Sequence, residues 1–569
     1  MLALTDLHQL LLVKFCFFLF ILFGAVAVYR RWKPSVFLLG FGVLSAAAYF
    51  FLIHGTKLMF WGLTADEVTI AAMYEIFAHG SVFLDFAYSA LPPFYPPLWF
   101  QGFGLVGRLF NWNGVQIAKV GTMTTLALFP LGLYAIQRLY ARYSGAVGGV
   151  LASFFGAIFV LVVSDWDAVI LKPYELVSAT LVILWSVCLM SDIHRKTMTK
   201  TRVFFYGVGG GVLFLVFYFW FFLAAIGVAL FHLFTRPSRK MYVQFVVIGL
   251  IVLIVGSIYW LPLARAYHVS GAENWQLGFF VKDWIATHSV TGGSFSLKAV
   301  IFLGGLVSLV CLRKSVYIRS LLSLFVAGYV WQLMGITTLL LFSSPLQESK
   351  GFFFWNRTIL ALGAAYGFAQ VYEWLSKKYT FTRFHHQTAG VLGVIFFAPT
   401  MLFGTFADTP EVQEVRTRAM TLRPGVESLI AYLQGQERFS SRRVLTSGVP
   451  EVHAFIPLNT FLYFNQHNSH PAAHFSERLR YVRELALQTN PETFSQMVHQ
   501  TPFGPIEAFI FYKGVSEKYP VYVVLDNFPN GIREEEIDIP RSLFDPQYFD
   551  TVYDNGDFVV ILPKQIQPE

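Results

Sequence analysis

Apolar runs of membrane-spanning length recur over about the first 400 residues, separated by short polar joints. A helix rises about 1.5 Å per residue, so crossing a bilayer's hydrocarbon takes about 20 apolar residues, fewer in a bent or re-entrant pair. On that measure the pattern predicts spans near 9–29, 34–53, 114–136, 145–163, 175–191, 203–217, 218–233, 242–262, 298–312, 320–342, 353–372 and 388–406. From about Asp408 polar and charged residues reach ordinary density. There RRVLTSG, VYVVLDN and DFVVILP read as buried strands, and VESLIAYLQG and HFSERLRYVRELAL as amphipathic helices of period 3.6. The fold class expected is a polytopic α-helical membrane protein of about 11–13 spans over 1–406, followed by a soluble α/β domain over 407–569. The second part is long enough to hold its own core.

Composition agrees with lipid as the solvent. Hydrophobic residues make up 55% of the chain and charged residues 13%, about half the share in average soluble domains, with mean hydropathy +0.55. The 60 Phe, 27 Tyr and 13 Trp suit spans and interfacial belts. Net charge is +8, but the basic residues lie between apolar runs, where they set topology; no nucleic-acid partner is expected. Cys16, Cys188 and Cys311 all fall inside apolar stretches and imply no disulfide framework. The basic cluster of the N-terminal segment follows its apolar run, and no small-residue cleavage site is present, which reads as a retained anchor.

The clusters Arg30/Arg31/Lys33, Arg138/Arg142, Arg195/Lys196/Lys200/Arg202, Arg236/Arg239/Lys240, Arg313/Lys314/Arg319 and Lys377/Lys378/Arg383 fall on one side if 203–233 crosses twice, as a short hairpin. The N-terminus, segments 54–113, 164–174, 263–297 and 343–352, and everything after about 407 then lie on the other, non-cytoplasmic side of the plasma membrane. Those outer segments are the long ones, rich in Asp, Glu, His, Trp and Tyr, and function is expected there. GVGGG, within 203–217, reads as close helix packing or as the bend of the hairpin.

The first outer segment carries a helix start at Thr64 and Asp66, then EVTIAAMYEIFAHG with its glycine stop. This predicts an amphipathic helix on the membrane surface with Asp66 and Glu67 at its head. The plainer reading is that the two acids only complement the helix dipole. Against it stands their company in one loop: Asp85, Tyr88, Tyr95, Trp99 and a run of prolines. The second outer segment holds Asp165, Asp167, Lys172 and Glu175; Lys172 suits a phosphate, or snorkels, or pairs with Glu175. In the third, Arg265 and His268 lie one helical turn apart and suit one phosphate, among Tyr267, Glu273, Trp275, Lys282, Asp283, Trp284 and His288. The fourth brings Glu348, Lys350 and Arg357, the last inside an apolar run, where an arginine is either functional or paired with Glu348 or Glu373. His467, His470 and His474 have metal-like spacing, but Pro471 interrupts them and no acid or cysteine adjoins, so sugar contact or domain packing is preferred and no metal site is assigned.

Two regions carry a resemblance. Asp85-Phe86-Ala87-Tyr88 followed by Pro93-Phe94-Tyr95-Pro96-Pro97-Leu98-Trp99-Phe100 resembles the loop of actinobacterial galactan 5-O-arabinofuranosyltransferases, where an Asn stands in place of Ala87. FLYFNQHNSHPAAHFSERLRYVRELA, TPFGPIEAFIF, FPN and FVV then resemble, in order, that family's C-terminal domain. An acid at the head of a surface helix on the first outer loop is also the layout of GT-C glycosyltransferases. The resemblance implies inverting transfer of arabinofuranose from decaprenyl-phosphoryl-arabinofuranose to the galactan of a cell wall, at the outer face of the membrane. Such a transfer needs one carboxylate base, and cations to hold the leaving phosphate. By that analogy Asp66 is the base, with Glu67 or Asp85 orienting it or the acceptor. Lys172, Arg265, His268, Lys350 and Arg357 are then candidates for the donor phosphate, and Tyr88, Tyr95, Trp99, Glu175, His467 and His470 for sugar contacts. No cofactor is required; a divalent cation is compatible with the carboxylates but not demanded by a lipid monophosphate donor. Two other readings stay open: a GT-C transferase of mannose or another pentose, and a lipid-linked sugar flippase, which would place more polar residues mid-membrane and show related halves.

Overall fold

The computed structural model describes residues 6–63, 65–81, 83–144, 149–164, 166–235, 239–273, 296–342, 346–347, 350–398, 409–436, 439–514, 516–527 and 532–565. Two compact units divide the chain. The first comprises Met1–Gly55, Val120–Gly256 and Val281–Arg416; the second comprises Thr56–Lys119, Ser257–Phe280 and Thr417–Glu569.

The helices follow the hydropathy pattern closely, because a span is fixed by local composition. They are α1 (Asp6–Tyr29), α2 (Pro34–Ile53), α3 (Ala65–His79), α4 (Leu98–Phe110), α5 (Gly114–Ser144), α6 (Gly149–Val163), α7 (Trp166–Leu171), α8 (Pro173–His194), α9 (Lys200–Val216), α10 (Phe219–Thr235), α11 (Arg239–Ser270), α12 (Leu297–Cys311), α13 (Val316–Phe342), α14 (Asn356–Lys378) and α15 (Arg383–Phe397). Six of these are long and apolar enough to cross a membrane: α1, α2, α5, α8, α11 and α13. Phe18, Phe205, Val243, Ile254 and Phe396 are exposed, which only a lipid solvent makes cheap. The protein is therefore multi-pass. Two ends differ most from expectation: α5 runs on past 136 to Ser144, and α11 does not stop near 262 but runs through Pro262 to Ser270, so the segment 263–297 begins as helix. Proline is tolerated there because membrane-type helices re-satisfy the freed carbonyl locally.

Within the first unit, α9 and α10 form the antiparallel pair that the loop charges required. Tyr206 of α9 donates to Asp192 near the end of α8 at 2.9 Å, and Phe217 at the far end of α9 packs on Tyr174 at the start of α8. α10 then returns alongside α8: Trp220 donates to Ser178 Oγ at 2.9 Å, and Phe231 packs on His194. GVGGG turns out to be a packing stripe. A Cβ on Gly207 would lie 2.5 Å from Ile251 Cβ, and one on Gly211 2.4 Å from Val255 Cβ, so only glycine lets α11 come this close. A single π-helical turn, Gly351–Trp355, leads into α14.

α16 (Pro410–Met420) belongs mostly to the first unit; in the second unit the C-terminal segment adds α17 (Val426–Gln434), β1 (Arg443–Ser447), β2 (Asn459–Thr460), α18 (Phe475–Ala486), α19 (Pro491–His499), β3 (Ala508–Tyr512), β4 (Lys518–Asp526), β5 (Ile532–Pro540), β6 (Phe549–Asp554) and β7 (Phe558–Pro563). The sheet order is β2-β1-β3-β7-β6, parallel across β2, β1 and β3 and antiparallel from β3 onward; β4 and β5 pair separately. The helical connection through α18 and α19 is what allows β1 and β3 to lie parallel. Alternation sends Leu445, Phe509, Phe511, Val559 and Ile561 to one face, against Phe475, Leu479, Val482 and Phe494. Val444, Ala508, Ile510, Phe558 and Val560 go to the other, against Val426, Leu429, Ile430 and Leu433.

Candidate active site

The two acids at the head of α3 are put to different uses. Glu67 is fully buried, and its carboxylate accepts the backbone N–H of Trp61 at 2.8 Å and of Leu63 at 2.9 Å. Those donors belong to a left-handed turn, Gly62 at φ +76° and Leu63 at φ +59°. A leucine there is strained, and Glu67 holds it. Lys119, near the start of α5, lies within electrostatic reach of Glu67 while its Nζ donates to Thr56 O at 2.6 Å and Thr56 Oγ1 at 2.8 Å. Glu67 is thus turned into the protein. Asp66, its neighbour, is only half-buried. Thr64, the other half of the expected helix start, lies outside the described residues.

One turn below Asp66, Thr69 Oγ1 meets the Tyr463 hydroxyl at 3.1 Å. This joins the head of α3 to residues 460–470 of the C-terminal segment. The loop after α3 joins the same place. Thr460 donates to Ala87 O through both its N–H, at 2.6 Å, and its hydroxyl, at 2.9 Å. Tyr88 is buried: its hydroxyl pairs with Ser469 Oγ at 2.8 Å and accepts the Tyr463 N–H at 3.1 Å, while the Arg478 guanidinium lies 5.3 Å over its ring. Tyr88 is therefore a clamp between two chain segments. His470 is buried too; its Nδ1 accepts the Ala472 N–H at 3.0 Å and its ring packs on Phe94 and Tyr267. Burial pushes this imidazole down to about 4, so it stays neutral. Trp99 donates to the Tyr74 hydroxyl at 2.7 Å, and Tyr95 stacks edge-on against Phe94. Of the three histidines, His467 remains half-buried, and His474 caps α18 at φ +53°.

Asp85 organises this loop. Its Oδ1 accepts the N–H groups of Ala87 at 3.0 Å and Tyr88 at 3.1 Å, while its own N–H donates to Leu91 O at 2.8 Å. Burial nevertheless pushes its carboxyl up to about 7 against the pull of those donors. A carboxyl raised on folding contributes stability that is fully present below the unfolded value, near 4, and is lost as pH climbs through about 7. Asp85→Asn keeps an Oδ1 acceptor without the charge. Its melting temperature in detergent is expected to fall less between pH 5 and pH 8 than that of the wild type; parallel curves would contradict the assignment.

The basic candidates fall in two groups. In the first unit, Lys350 Nζ lies 2.8 Å from Glu175 Oε2 and 5.5 Å over the Phe217 ring. Glu175, buried on the first turn of α8, is thus paired, with Lys350 rather than with Lys172, which precedes that helix. Arg357 is half-buried on the first turn of α14, beside Asn356, whose buried amide has no hydrogen-bond partner among the described residues. In the second unit, Arg265 and His268 are exposed near the end of α11. Glu273, just beyond, accepts the Ser476 N–H at 3.2 Å and its own N–H donates to Pro471 O at 2.9 Å. Asp165, the Asp167 side chain, Trp275, Lys282, Asp283, Trp284, His288 and Glu348 lie outside the described residues. Sequence reasoning missed Lys119, hidden in a span, and Tyr463, read only as part of a resemblance.

Comparisons with known proteins cover nearly the whole chain. Two family models match in series: Arabinofuranosyltransferase N terminal over residues 2–398 and Arabinofuranosyltransferase A C terminal over 416–563. The galactan 5-O-arabinofuranosyltransferase of Mycobacterium leprae is 24% identical over 555 residues, 90% of this chain and 84% of that protein. The galactan 5-O-arabinofuranosyltransferase of Mycolicibacterium smegmatis is 22% identical over 593 residues, 95% and 90% of the two chains. Among solved structures, ArnT from Cupriavidus metallidurans is similar at a TM-score of 0.49 and 14% identity, covering 90% of this chain and 95% of that one. Arabinofuranosyltransferase AftD from Mycobacteria is similar at 0.44 and 10%, covering 94% and 40%. With family models spanning both its membrane part and its C-terminal domain, the chain belongs to the arabinofuranosyltransferase A family.

Proposed function

We propose that this arabinofuranosyltransferase moves arabinofuranose from decaprenyl-phosphoryl-arabinofuranose to a hydroxyl of a cell-wall galactan, at the outer face of the plasma membrane, with Asp66 as base. The observation that carries this reading is the division of labour at the head of α3: Glu67 is spent on the turn before the helix, and Asp66 is left half-open beside it. The names of the curated relatives supply the acceptor class. The polyprenyl phosphate donor and the outward orientation rest on the motifs and loop charges.

In the step itself the acceptor hydroxyl oxygen bonds to the anomeric carbon while the bond from that carbon to the phosphate oxygen breaks. The electron pair leaves with the lipid phosphate, and the hydroxyl proton goes to the Asp66 carboxylate. Cations must meet the extra charge on the phosphate. Lys172, Arg265, His268, Lys350 and Arg357 are the candidates, and Lys350 would exchange Glu175 for phosphate. Tyr95 and Trp99 present faces to sugar or isoprenoid. Tyr88, Asp85 and His470 shape the loop that carries them.

Transfer from synthetic polyprenyl-phosphoryl-arabinofuranose to a short galactan by the purified protein is the direct test. Product from that donor, and none from polyprenyl-phosphoryl-mannose, is expected. Product from mannose alone would replace the donor assignment, and movement of lipid-linked sugar across vesicles without any product would replace the enzyme with a flippase.

A further inference from the structure

HFSERLRYVRELA and TPFGPIEAFIF, motifs that the proposed transfer leaves unused, meet in the fold around two arginines. Arg478 on α18 is half-buried in an aromatic cage, its Cζ 4.6 Å over the Phe503 ring, 5.3 Å over Tyr88 and 5.4 Å over Phe461. Its Nε donates to Ala473 O at 2.6 Å and its Nη1 to Phe461 O at 2.7 Å. A guanidinium has five N–H groups, so the other three of Arg478 have no protein acceptor among the described residues. Arg443, half-buried at the start of β1, reaches the same place by two routes. Its guanidinium lies on the turn just after Phe503, where a Cβ on Gly504, at φ +83°, would stand 2.9 Å from Arg443 Cζ. The next residue, Val444, accepts the Phe461 N–H at 2.8 Å, and Phe461 O is the acceptor of Arg478. The Arg443 side chain makes one long bond, to Pro505 O at 3.4 Å. Among the described residues no carboxylate forms an ion pair with either guanidinium. Nearby acids are engaged otherwise: Glu507 Oε2 accepts the Arg443 N–H at 2.7 Å, and Glu477 lies 3.7 Å from His474 Nδ1.

We propose that Arg443 and Arg478 form an anion site on the C-terminal domain that takes a phosphate monoester or inorganic phosphate. Two like charges brought together while partly stripped of water cost free energy, and a bound anion removes that cost. Burial pulls the Arg478 guanidinium below the ordinary arginine value, and the charge of Arg443 adds to the pull. Aromatic faces favour the cation but accept none of its in-plane N–H groups, so the cage orients Arg478 without satisfying it. Guanidinium forks match phosphate oxygens in pairs. Two fixed positive charges are balanced by about two negative ones, which a phosphate monoester carries near pH 7 and a diester does not. Free phosphate and the lipid monophosphate that the proposed transfer releases share this chemistry. Only the lipid source rests on the proposed function; the site itself does not.

Phenylglyoxal modification of the purified full-length protein, mapped by mass spectrometry, reads Arg443 at its own position. Inorganic phosphate and farnesyl phosphate are the probes, with dimethyl phosphate and chloride at matched ionic strength as controls. Both monoester-type probes are expected to slow modification of Arg443, and neither control is. Half-protection is expected to need at least ~10-fold more phosphate in Arg478→Lys, which keeps the charge but loses the fork. Gel filtration equal to the wild type controls for folding of that variant. Protection by farnesyl phosphate at much lower concentration than by inorganic phosphate assigns the lipid source, and equal potency assigns the free ion. Absence of protection in the wild type would overturn the site without any variant. Equal protection by the diester, or half-protection unmoved in a folded Arg478→Lys, would overturn it as well. None of these readouts uses transfer, so failure of the proposed function shows separately, as absence of product.

Discussion

Asp66→Asn is expected to lower kcat for arabinofuranosyl transfer by about 10²–10⁴-fold, the range that positioned general bases contribute, with KM for donor and acceptor held within a few-fold. The amide has almost the shape of the carboxylate and keeps an oxygen, but it cannot take the hydroxyl proton. The adjacent acid is the internal control. Glu67→Gln should leave most of kcat in place and reduce stability instead, because its carboxylate accepts two backbone N–H groups, one of them buried, and the amide offers one oxygen for them. Both are read in one assay with a radiolabelled donor, alongside melting in detergent. The opposite pattern, full turnover in Asp66→Asn and none in Glu67→Gln, would transfer the base to Glu67 and undo the division of labour on which the proposed function rests.

The second large effect is on stability. Lys350→Met strands Glu175, which is only 2% exposed, without its cation. Breaking a buried ion pair from one side typically costs about 3–5 kcal/mol, and the partial exposure of Lys350 moves the expectation to about 3 kcal/mol. The double variant Lys350→Met/Glu175→Gln removes the stranded charge and should recover most of the lost melting temperature. If Lys350 also takes the donor phosphate, the double variant regains stability and still shows a donor KM raised about tenfold or more. A double variant no more stable than Lys350→Met would mean that the pair contributes nothing to the fold.

Most helices of the membrane part lie within a few residues of the apolar runs, α5 and α11 running longer, and β1, β4, β7, α17 and α18 stand where the alternation and the 3.6 period put them. Even the α9–α10 pair was legible, from the sign of the loop charges. Each of these is a local property, a length or a period of apolar residues carried by the segment itself. β3 was not legible as a strand because its place depends on β1 and β7, far along the chain, and β6 was not because this edge strand is mostly exposed and carries no apolar run. The site was half legible. The acids, the aromatic loop and the histidines could be named, but not their uses.

Those uses were decided by the tertiary structure. Nothing local distinguishes Asp66 from Glu67; the left-handed turn at Gly62 and Leu63 draws one carboxylate inward and leaves the other half-open. Glu175 could pair with Lys172 three residues earlier in sequence, yet the pair it makes is with Lys350, brought to it by the packing of α8, α13 and α14. Residues 460–470 reach the head of α3 only through contacts made far along the chain, Tyr463 with Thr69 of α3 and Gln466 with the Asp526 N–H at the end of β4. Hydropathy is written residue by residue and survives reading in one dimension. Charge pairing and proton transfer act over a few ångströms in space, and the fold alone determines which distant residues come that close.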